Sequence, residues 1–180
     1  MTVLSAQSIR TNVWINPWSE RTVHANGMSF GLSVSGYDLR IKDAIYLASG
    51  EFALVTTVEE LAIPDNVQGI LLDKSSWARQ GLSCFNTKFE PGWKGFPTVE
   101  LVNLGPNGLS IEAGSPIAQM EFYWLDEATE NPYTGKYQNQ EQKPIPFKAE
   151  DLLNPRAVGS EFLDAYGPEK TPMIRGKITW

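Results

Sequence analysis

The chain has 180 residues, which is the size of a single domain with one hydrophobic core. Its formal net charge of −6 argues against wholesale binding to nucleic acid or to an anionic membrane. With one histidine and one cysteine, the chain cannot build a His/Cys zinc site for activating water. A Ser-His or Cys-His hydrolase would have to use His24, and the polar segment around His24 argues against that class of enzyme. Since we see neither a signal-peptide pattern nor an apolar run near the ~20 residues of a membrane span, we expect a cytoplasmic protein.

The first two thirds of the chain predict a mainly β domain. Residues 4–10 indicate a short helix with Ser5 as its N-cap. Short apolar runs separated by turn residues then follow, as is typical of a β-sandwich or a barrel of jelly-roll type. Segments 58–61 and 75–80 are expected to form single helical turns inside it. The predicted strands cover residues 32–34, 37–41, 44–47, 52–57, 67–72, 98–103, 109–111 and 117–122.

The last third of the chain has a different character. Residues 126–150 are polar and have too few apolar side chains to add to the core, which indicates a mobile arm. Further along, residues 150–153 and 160–166 could form short helices and residues 177–180 a final strand. We therefore divide the chain into a β domain with its N-terminal helix (1–125), an arm (126–145) and a C-terminal extension of unknown role (146–180).

A segment that suits an anionic ligand follows the predicted strand 67–72. Lys74 and Arg79 can donate charge-assisted hydrogen bonds to phosphate oxygens, and the hydroxyls of Ser75 and Ser76 add neutral donors. From the pattern alone, a solvated turn with Trp77 packed in the core is an equally good interpretation, because such short motifs recur by chance.

A lone carboxylate, Glu100, lies inside an apolar run. With the period of two of a strand, Thr98 and Glu100 share one face of the sheet, while Val99 lies on the other. Glu100 is either on a solvated face or desolvated in a site, where it would serve as a general base. The residues alone favour the solvated face, because glutamate is rarely buried without a partner; Arg79 is a candidate partner.

These motifs occur in the order found in one known family. Residues 74–82 resemble the signature Arg-Ser-Ser-Leu-Ala-Arg-x-Gly-Leu of the dCTP deaminases, which belong to the superfamily of trimeric dUTPases. The Gly-Tyr-Asp-Leu-Arg motif at 36–40 and the Pro-Gly-Trp-Lys-Gly motif at 91–95, with its Val-Glu-Leu continuation, also resemble family motifs. The resemblance extends from about residue 4 to about residue 140.

The resemblance implies a dUTPase-like distorted jelly-roll or β-barrel that assembles as a homotrimer, with active sites between subunits. It implies hydrolytic deamination of dCTP to dUTP and ammonia without zinc, in the supply of pyrimidine deoxynucleotides. It also implies Mg²⁺ bound through the triphosphate of the nucleotide, and it raises dTTP as an inhibitor.

The resemblance assigns roles by position. Glu100 is the catalytic carboxylate that activates water at C4 of cytosine, while Ser75 and Arg79 position that water and the carboxylate. The nucleotide-binding residues are Lys74 and Ser76 at the phosphates, Glu90 at the sugar and base region, Thr98 and Val99 in the base pocket, and Tyr133, Lys136 and Gln140 in the arm that closes over the triphosphate.

Three functional hypotheses stay open. The presence of both Arg79 and Glu100 favours deamination, since plain dUTPases usually lack both. However, the loop at 84–90 is shorter than in the family and Glu90 replaces an aspartate, which leaves open a dUTPase or a bifunctional enzyme that releases dUMP and pyrophosphate. The C-terminal extension raises a third hypothesis, an inactive nucleotide-sensing or protein-binding member.

Overall fold

The computed structural model describes residues 2–147. By its contacts, the chain divides into Met1–Ile145 and Pro146–Trp180. Of the second unit, only Pro146 and Phe147 are described, and both are exposed. The elements predicted at 150–153, 160–166 and 177–180 lie outside the described residues. No helix within residues 2–147 has the length and apolar character that crossing a bilayer requires.

The first unit is built mainly from short strands, as the sequence predicts. Its helices are α1 (Ala6–Asn12) and α2 (Ser75–Ala78). The strands are β1 (Thr2–Val3), β2 (Trp14–Asn16), β3 (Thr22–Val23), β4 (Ser29–Leu32), β5 (Tyr37–Arg40), β6 (Ile45–Leu47), β7 (Phe52–Thr56), β8 (Glu60–Ala62), β9 (Val67–Asp73), β10 (Leu82–Cys84), β11 (Lys88–Phe89), β12 (Lys94–Gly95), β13 (Thr98–Asn103), β14 (Leu109–Ile111) and β15 (Pro116–Trp124).

The strands form one large sheet and three small ones. The seven-stranded sheet has the order β11-β9-β15-β5-β4-β3, and β1 also pairs with β15. The small sheets are β10-β13-β7, β12-β8-β2 and β14-β6. The pairings between these strands are antiparallel. The long strand β15 thus organises the large sheet, while β13 organises the small sheet that carries Glu100.

Alternating side chains explain why these strands form one core. In β9, Val67, Gly69 and Leu71 are buried while the residues between them are half-buried, which is the pattern of a sheet with one face in the core. Burying a side chain the size of Leu71 contributes about 1.5–3 kcal/mol relative to leaving it in water. The largest fully buried side chains are Tyr37, Phe122, Leu4, Ile9, Leu39, Ile41, Leu47, Leu61, Leu71, Leu101, Ile111 and Ile117.

The local predictions have mixed outcomes. The N-terminal helix is confirmed as α1, with Ser5 in the N-cap position, and the predicted helical turn at 75–80 is confirmed as α2. The helical turn predicted at 58–61 is wrong, because residues 60–62 form β8 between β2 and β12. Glu59 is fully buried there and accepts hydrogen bonds from the backbone N–H and the Nε of Arg40, so tertiary pairing overrides the local helix preference.

The polar arm lies against the β domain of its own chain. Gln138 accepts a hydrogen bond from the backbone N–H of Lys94 at 2.8 Å and donates one to the carbonyl of Gly92 at 2.8 Å. The backbone N–H of Phe96 donates to the carbonyl of Gln140 at 3.0 Å. The arm is therefore held by these hydrogen bonds and by the packing of Tyr133 against the core, so in this structure it is docked on its own chain rather than detached as its composition indicates.

Candidate active site

Contacts on both sides of α2 fix its position at the end of β9. The carboxylate of Asp73 accepts a hydrogen bond from the backbone N–H of Cys84 at 2.7 Å, which ties the end of β9 to β10. Trp77 is buried, and its indole N–H donates to the carbonyl of Pro116 at 2.7 Å. The predicted packing of Trp77 in the core is confirmed, and the binding of an anion by the neighbouring polar residues stays a prediction.

Three polar side chains of this segment are available to a ligand. Ser75, Ser76 and Arg79 are exposed, and their side chains have no hydrogen-bond or ion-pair partner among residues 2–147. Two hydroxyls and a guanidinium in one turn can bind an anion or orient water.

Lys74 differs from these three neighbours. Its ammonium lies 2.9 Å from the carboxylate of Asp38, and both groups are nearly withdrawn from water. Asp38 lies in β5 and is the partner of Lys74. A phosphate at Lys74 would therefore have to share or displace Asp38, so Lys74 is not a free cation in this chain.

Glu100 lies on the half-buried face of β13. Burial alternates along this strand as the sequence predicts, with Glu100 half-buried between buried Val99 and Leu101. Its Oε2 accepts a hydrogen bond from the hydroxyl of Thr87 at 3.0 Å, and no cation pairs with the carboxylate in the described part of the chain. The predicted contact with Arg79 is not formed within one chain and stays a prediction for a contact between subunits.

The two residues predicted for the base pocket lie on opposite faces of β13. Val99 is fully buried in the core, so its side chain does not line the surface that carries Glu100, because strand residues alternate. Its assignment to the base pocket stays a prediction, which the backbone of Val99 would have to meet. Thr98 shares the face of Glu100, and its hydroxyl accepts a short hydrogen bond from the side-chain amide of Gln140. Gln140 is buried at this contact, so in the docked arm it binds its own chain.

A cavity of about 430 Å³ contains two other predicted residues, Glu90 and Tyr133. The carboxylate of Glu90 pairs with the ammonium of Lys88 at 3.1 Å. Lys136 does not line this cavity, and its ammonium lies 5.2 Å from the ring centre of Tyr137. The volume suits part of a small ligand. The lining residues are Gln68, Lys88, Glu90, Pro91, Leu125, Thr129, Asn131 and Tyr133.

The surroundings of Cys84 and His24 argue against a nucleophile–base pair. Burial, followed by the nearby carboxylate of Asp73, raises the pKa of the Cys84 thiol to about 12, so the thiolate is disfavoured at neutral pH. The Nδ1 of His24 accepts from the backbone N–H of Asn26 at 3.3 Å, and within residues 2–147 the ring has no hydroxyl, thiol or carboxylate partner. Over the same residues, no three His, Cys, Asp or Glu side chains form a group that could hold a metal ion.

The contact between Thr87 and Glu100 was not predicted from the sequence. Thr87 lies in the short loop 84–90, whose length marks it as unusual but does not reveal where its side chains point. The signal that could have found it is the pair of neighbouring strands β10 and β13, which bring the loop beside Glu100.

Solved structures with the same architecture define the class of the fold. The EIAV dUTPase matches with a TM-score of 0.51 and 19% identity, covering 69% of this chain and 98% of that one. The dUTPase of phage phi11 of S. aureus matches with a TM-score of 0.52 and 16% identity, covering 68% and 96%. Identity at this level shows the fold alone, and the fold is dUTPase-like.

Sequence comparison narrows the class to a family. The family model described as dCTP deaminase-like matches residues 37–125, which include the α2 segment, Glu90 and Glu100. The dCTP deaminase of Acidobacterium capsulatum is 31% identical, over 77% of this chain and 98% of its own length. That of Campylobacter curvus is 34% identical, over 73% and 88%. The chain belongs to the dCTP deaminase family.

Proposed function

We propose that the protein is a dCTP deaminase in which Glu100 moves the protons. Water attacks C4 of cytosine, and Glu100 accepts a proton from that water as the O–C4 bond forms and delivers it to N3. Glu100 then carries the remaining proton of the new C4 hydroxyl to the amino group, which leaves as ammonia as the C4–N bond breaks and the C4 carbonyl forms. The remaining product is dUTP, which places the enzyme in pyrimidine deoxynucleotide supply. Family membership together with the chemistry of Glu100 supports this reaction.

The observation that carries the proposal is the environment of the Glu100 carboxylate. It is half-buried, it accepts a hydrogen bond from one neutral hydroxyl, and it pairs with no cation among the residues described. Because its own chain binds only one of its two oxygens, the carboxylate keeps the other oxygen for water, as a general acid–base group must.

The exposed groups of α2 complete the site from a second subunit in this proposal. Ser75 and Arg79 orient the water and Glu100, while Ser76 binds phosphate. Because none of these three side chains forms a hydrogen bond or ion pair with Glu100 inside one chain, we place them at the interface of a homotrimer. Phe52 and Phe85 support such an interface, since both are about half exposed, at 50% and 55%, and their rings stack beside β13 with centroids 6.0 Å apart.

In this proposal, Mg²⁺ binds to the protein together with the nucleotide, as a complex with its triphosphate. We propose that Mg²⁺ is held by the triphosphate oxygens, which are the hard ligands it prefers, and that the reaction needs no zinc. Among proteins of this fold, a variant of the phage phi11 dUTPase is described as coordinating a structural Mg(II) ion. In the present chain, Lys136 and Tyr133 of the arm are proposed to contact the Mg–triphosphate.

The decisive assay incubates the purified protein with dCTP or dUTP plus Mg²⁺ and resolves ammonia, dUTP, dUMP and pyrophosphate. We expect equal amounts of ammonia and dUTP from dCTP. Glu100→Gln should lower kcat by about a hundredfold to ten-thousandfold while dCTP still binds, because the amide cannot shuttle protons. Glu112→Gln, an exposed glutamate outside the site, is the control. Near-full deamination by Glu100→Gln would overturn the assignment.

The cavity beside Glu90 favours a second candidate, the bifunctional enzyme. If Glu90 orients water towards the α-phosphate, the same assay yields dUMP and pyrophosphate, and Glu90→Gln abolishes them without stopping ammonia release. Bound nucleotide with no product would instead indicate an inactive sensor.

A further inference from the structure

The short loop after β10 is fixed at both of its ends. The backbone N–H of Phe85 donates to the carbonyl of Glu100 at 3.0 Å, which extends the pairing of β10 with β13. Two residues later, the carbonyl of Thr87 accepts from the backbone N–H of Leu71 at 2.9 Å, where β11 joins β9. The loop therefore crosses directly from one sheet to the other, and the backbone of Thr87 has little freedom.

This crossing brings the hydroxyl of Thr87 to the carboxylate of Glu100. The distance from Oγ1 to Oε2 of Glu100 is 3.0 Å, and the distance to the carbonyl oxygen of Phe85 is 3.2 Å. A hydroxyl has one hydrogen, so it can donate to only one of these acceptors at a time. Threonine is also stiff at χ1, so holding its hydroxyl at this point costs little entropy.

We infer that Thr87 is a positioning residue for Glu100, which it holds by donating its hydroxyl hydrogen to Oε2. This inference rests on the proposed deamination. While Glu100 is charged, the hydrogen bond fixes one oxygen and leaves Oε1 for the attacking water. When Glu100 has taken up a proton, the hydroxyl donates to the carbonyl of Phe85 instead, so it has a partner in both states. The short loop thereby aligns the carboxylate from within its own chain through one neutral hydrogen bond.

The chemistry of this switch separates Thr87 from an ordinary structural threonine. A structural role would be served by any side chain that fills the same space, and valine does so without the hydroxyl. A positioning role requires the hydroxyl and acts on the chemical step rather than on substrate binding. A comparison of Thr87→Val with Thr87→Ser therefore distinguishes a positioning role of Thr87 from a structural one.

The experiment measures kcat and KM for dCTP, together with the melting temperature, for Thr87→Val, Thr87→Ser, Glu100→Gln and the double variant. We expect Thr87→Val to lower kcat by about 10- to 100-fold with KM changed less than about threefold, as small misplacements of reacting groups do. Thr87→Ser should recover most of kcat. In the Glu100→Gln background, Thr87→Val should have no further effect, because the two residues act as one unit.

The outcomes distinguish this inference from the function on which it rests. If the wild-type protein releases no ammonia from dCTP, the proposed function and the inference both fall. If the wild type is active, Glu100→Gln is inactive and Thr87→Val keeps the wild-type kcat, only the inference falls. Thr87→Ala removes the same hydroxyl and replaces Thr87→Val should that variant not fold. Thr22→Val, on the exposed strand β3, is the control for the substitution itself.

Discussion

The ammonium of Lys74 and the carboxylate of Asp38 are 2.9 Å apart, with side chains that are only 9% and 5% exposed. Removing one partner of such a pair leaves a buried charge without compensation. We expect Asp38→Asn to lower the free energy of unfolding by about 3–5 kcal/mol, measured by urea denaturation.

A second ion pair in the same chain is the control for Asp38→Asn. Arg10 and Glu20 also lie 2.9 Å apart, but their side chains are 48% and 59% exposed. Water compensates the charge that remains in Glu20→Gln, so this variant should lose far less stability. Equal losses in the two variants would show that burial of the Lys74–Asp38 pair does not raise its contribution to stability above that of an exposed pair.

At the scale of elements, the docked arm depends on a close approach of two backbones. Gly95 in β12 has a φ of +143°, and a Cβ at this position would lie 2.5 Å from the backbone nitrogen of Gln140. Gly95→Ala should therefore push the arm away from β12. We expect trypsin to cleave the arm at least about tenfold faster, since its bonds open more often, and KM for dCTP to rise because Lys136 is proposed to bind the triphosphate.

The matched control is Gly50→Ala. Gly50 also has a positive φ, +78°, but a Cβ there would have open space around it. Gly95→Ala strains its backbone more than Gly50→Ala does, because a φ of +143° lies further from the left-handed region that an L residue can enter, so a stability loss alone does not test the arm contact. An arm cleaved equally fast in both variants would mean that the contact between Gly95 and Gln140 does not hold it.

The elements also show what a sequence can predict here and what it cannot. The strand containing Glu100 was predicted with its bounds and its alternation, because period-two patterning depends only on neighbouring residues. The strand at 60–62 was missed because its neighbours β2 and β12 come from distant parts of the chain. Lys74 was assigned to phosphate because the motif does not reveal that Asp38, far away in sequence, neutralises it. The contact of Thr87 with Glu100 could not be predicted from the sequence for the same reason, because the path of a short loop depends on the sheets that it joins.

At the scale of the whole molecule, the exposed face of the sheet around Glu100 has the properties of a surface that binds a second subunit. Glu100 pairs with Leu54 across the sheet, and two residues further along β13 Val102 pairs with Phe52, so these side chains share one face. Large exposed aromatic residues next to a half-buried carboxylate fit a surface that is completed by association. This arrangement supports the proposed homotrimer, whose mass can be measured by sedimentation equilibrium.

Mixing inactive subunits tests whether the site is shared between them. Arg79→Ala and Glu100→Gln should each be inactive alone, but a shared site needs Arg79 from one subunit and Glu100 from the next. In trimers refolded from an equal mixture, about one quarter of the interfaces combine both intact residues, so about one quarter of the wild-type rate should return. Each variant refolded alone is the control. A mixture that forms trimers but stays inactive would place Arg79 and Glu100 in the same subunit's site or remove Arg79 from the mechanism, because random assembly cannot avoid forming intact interfaces if they are shared.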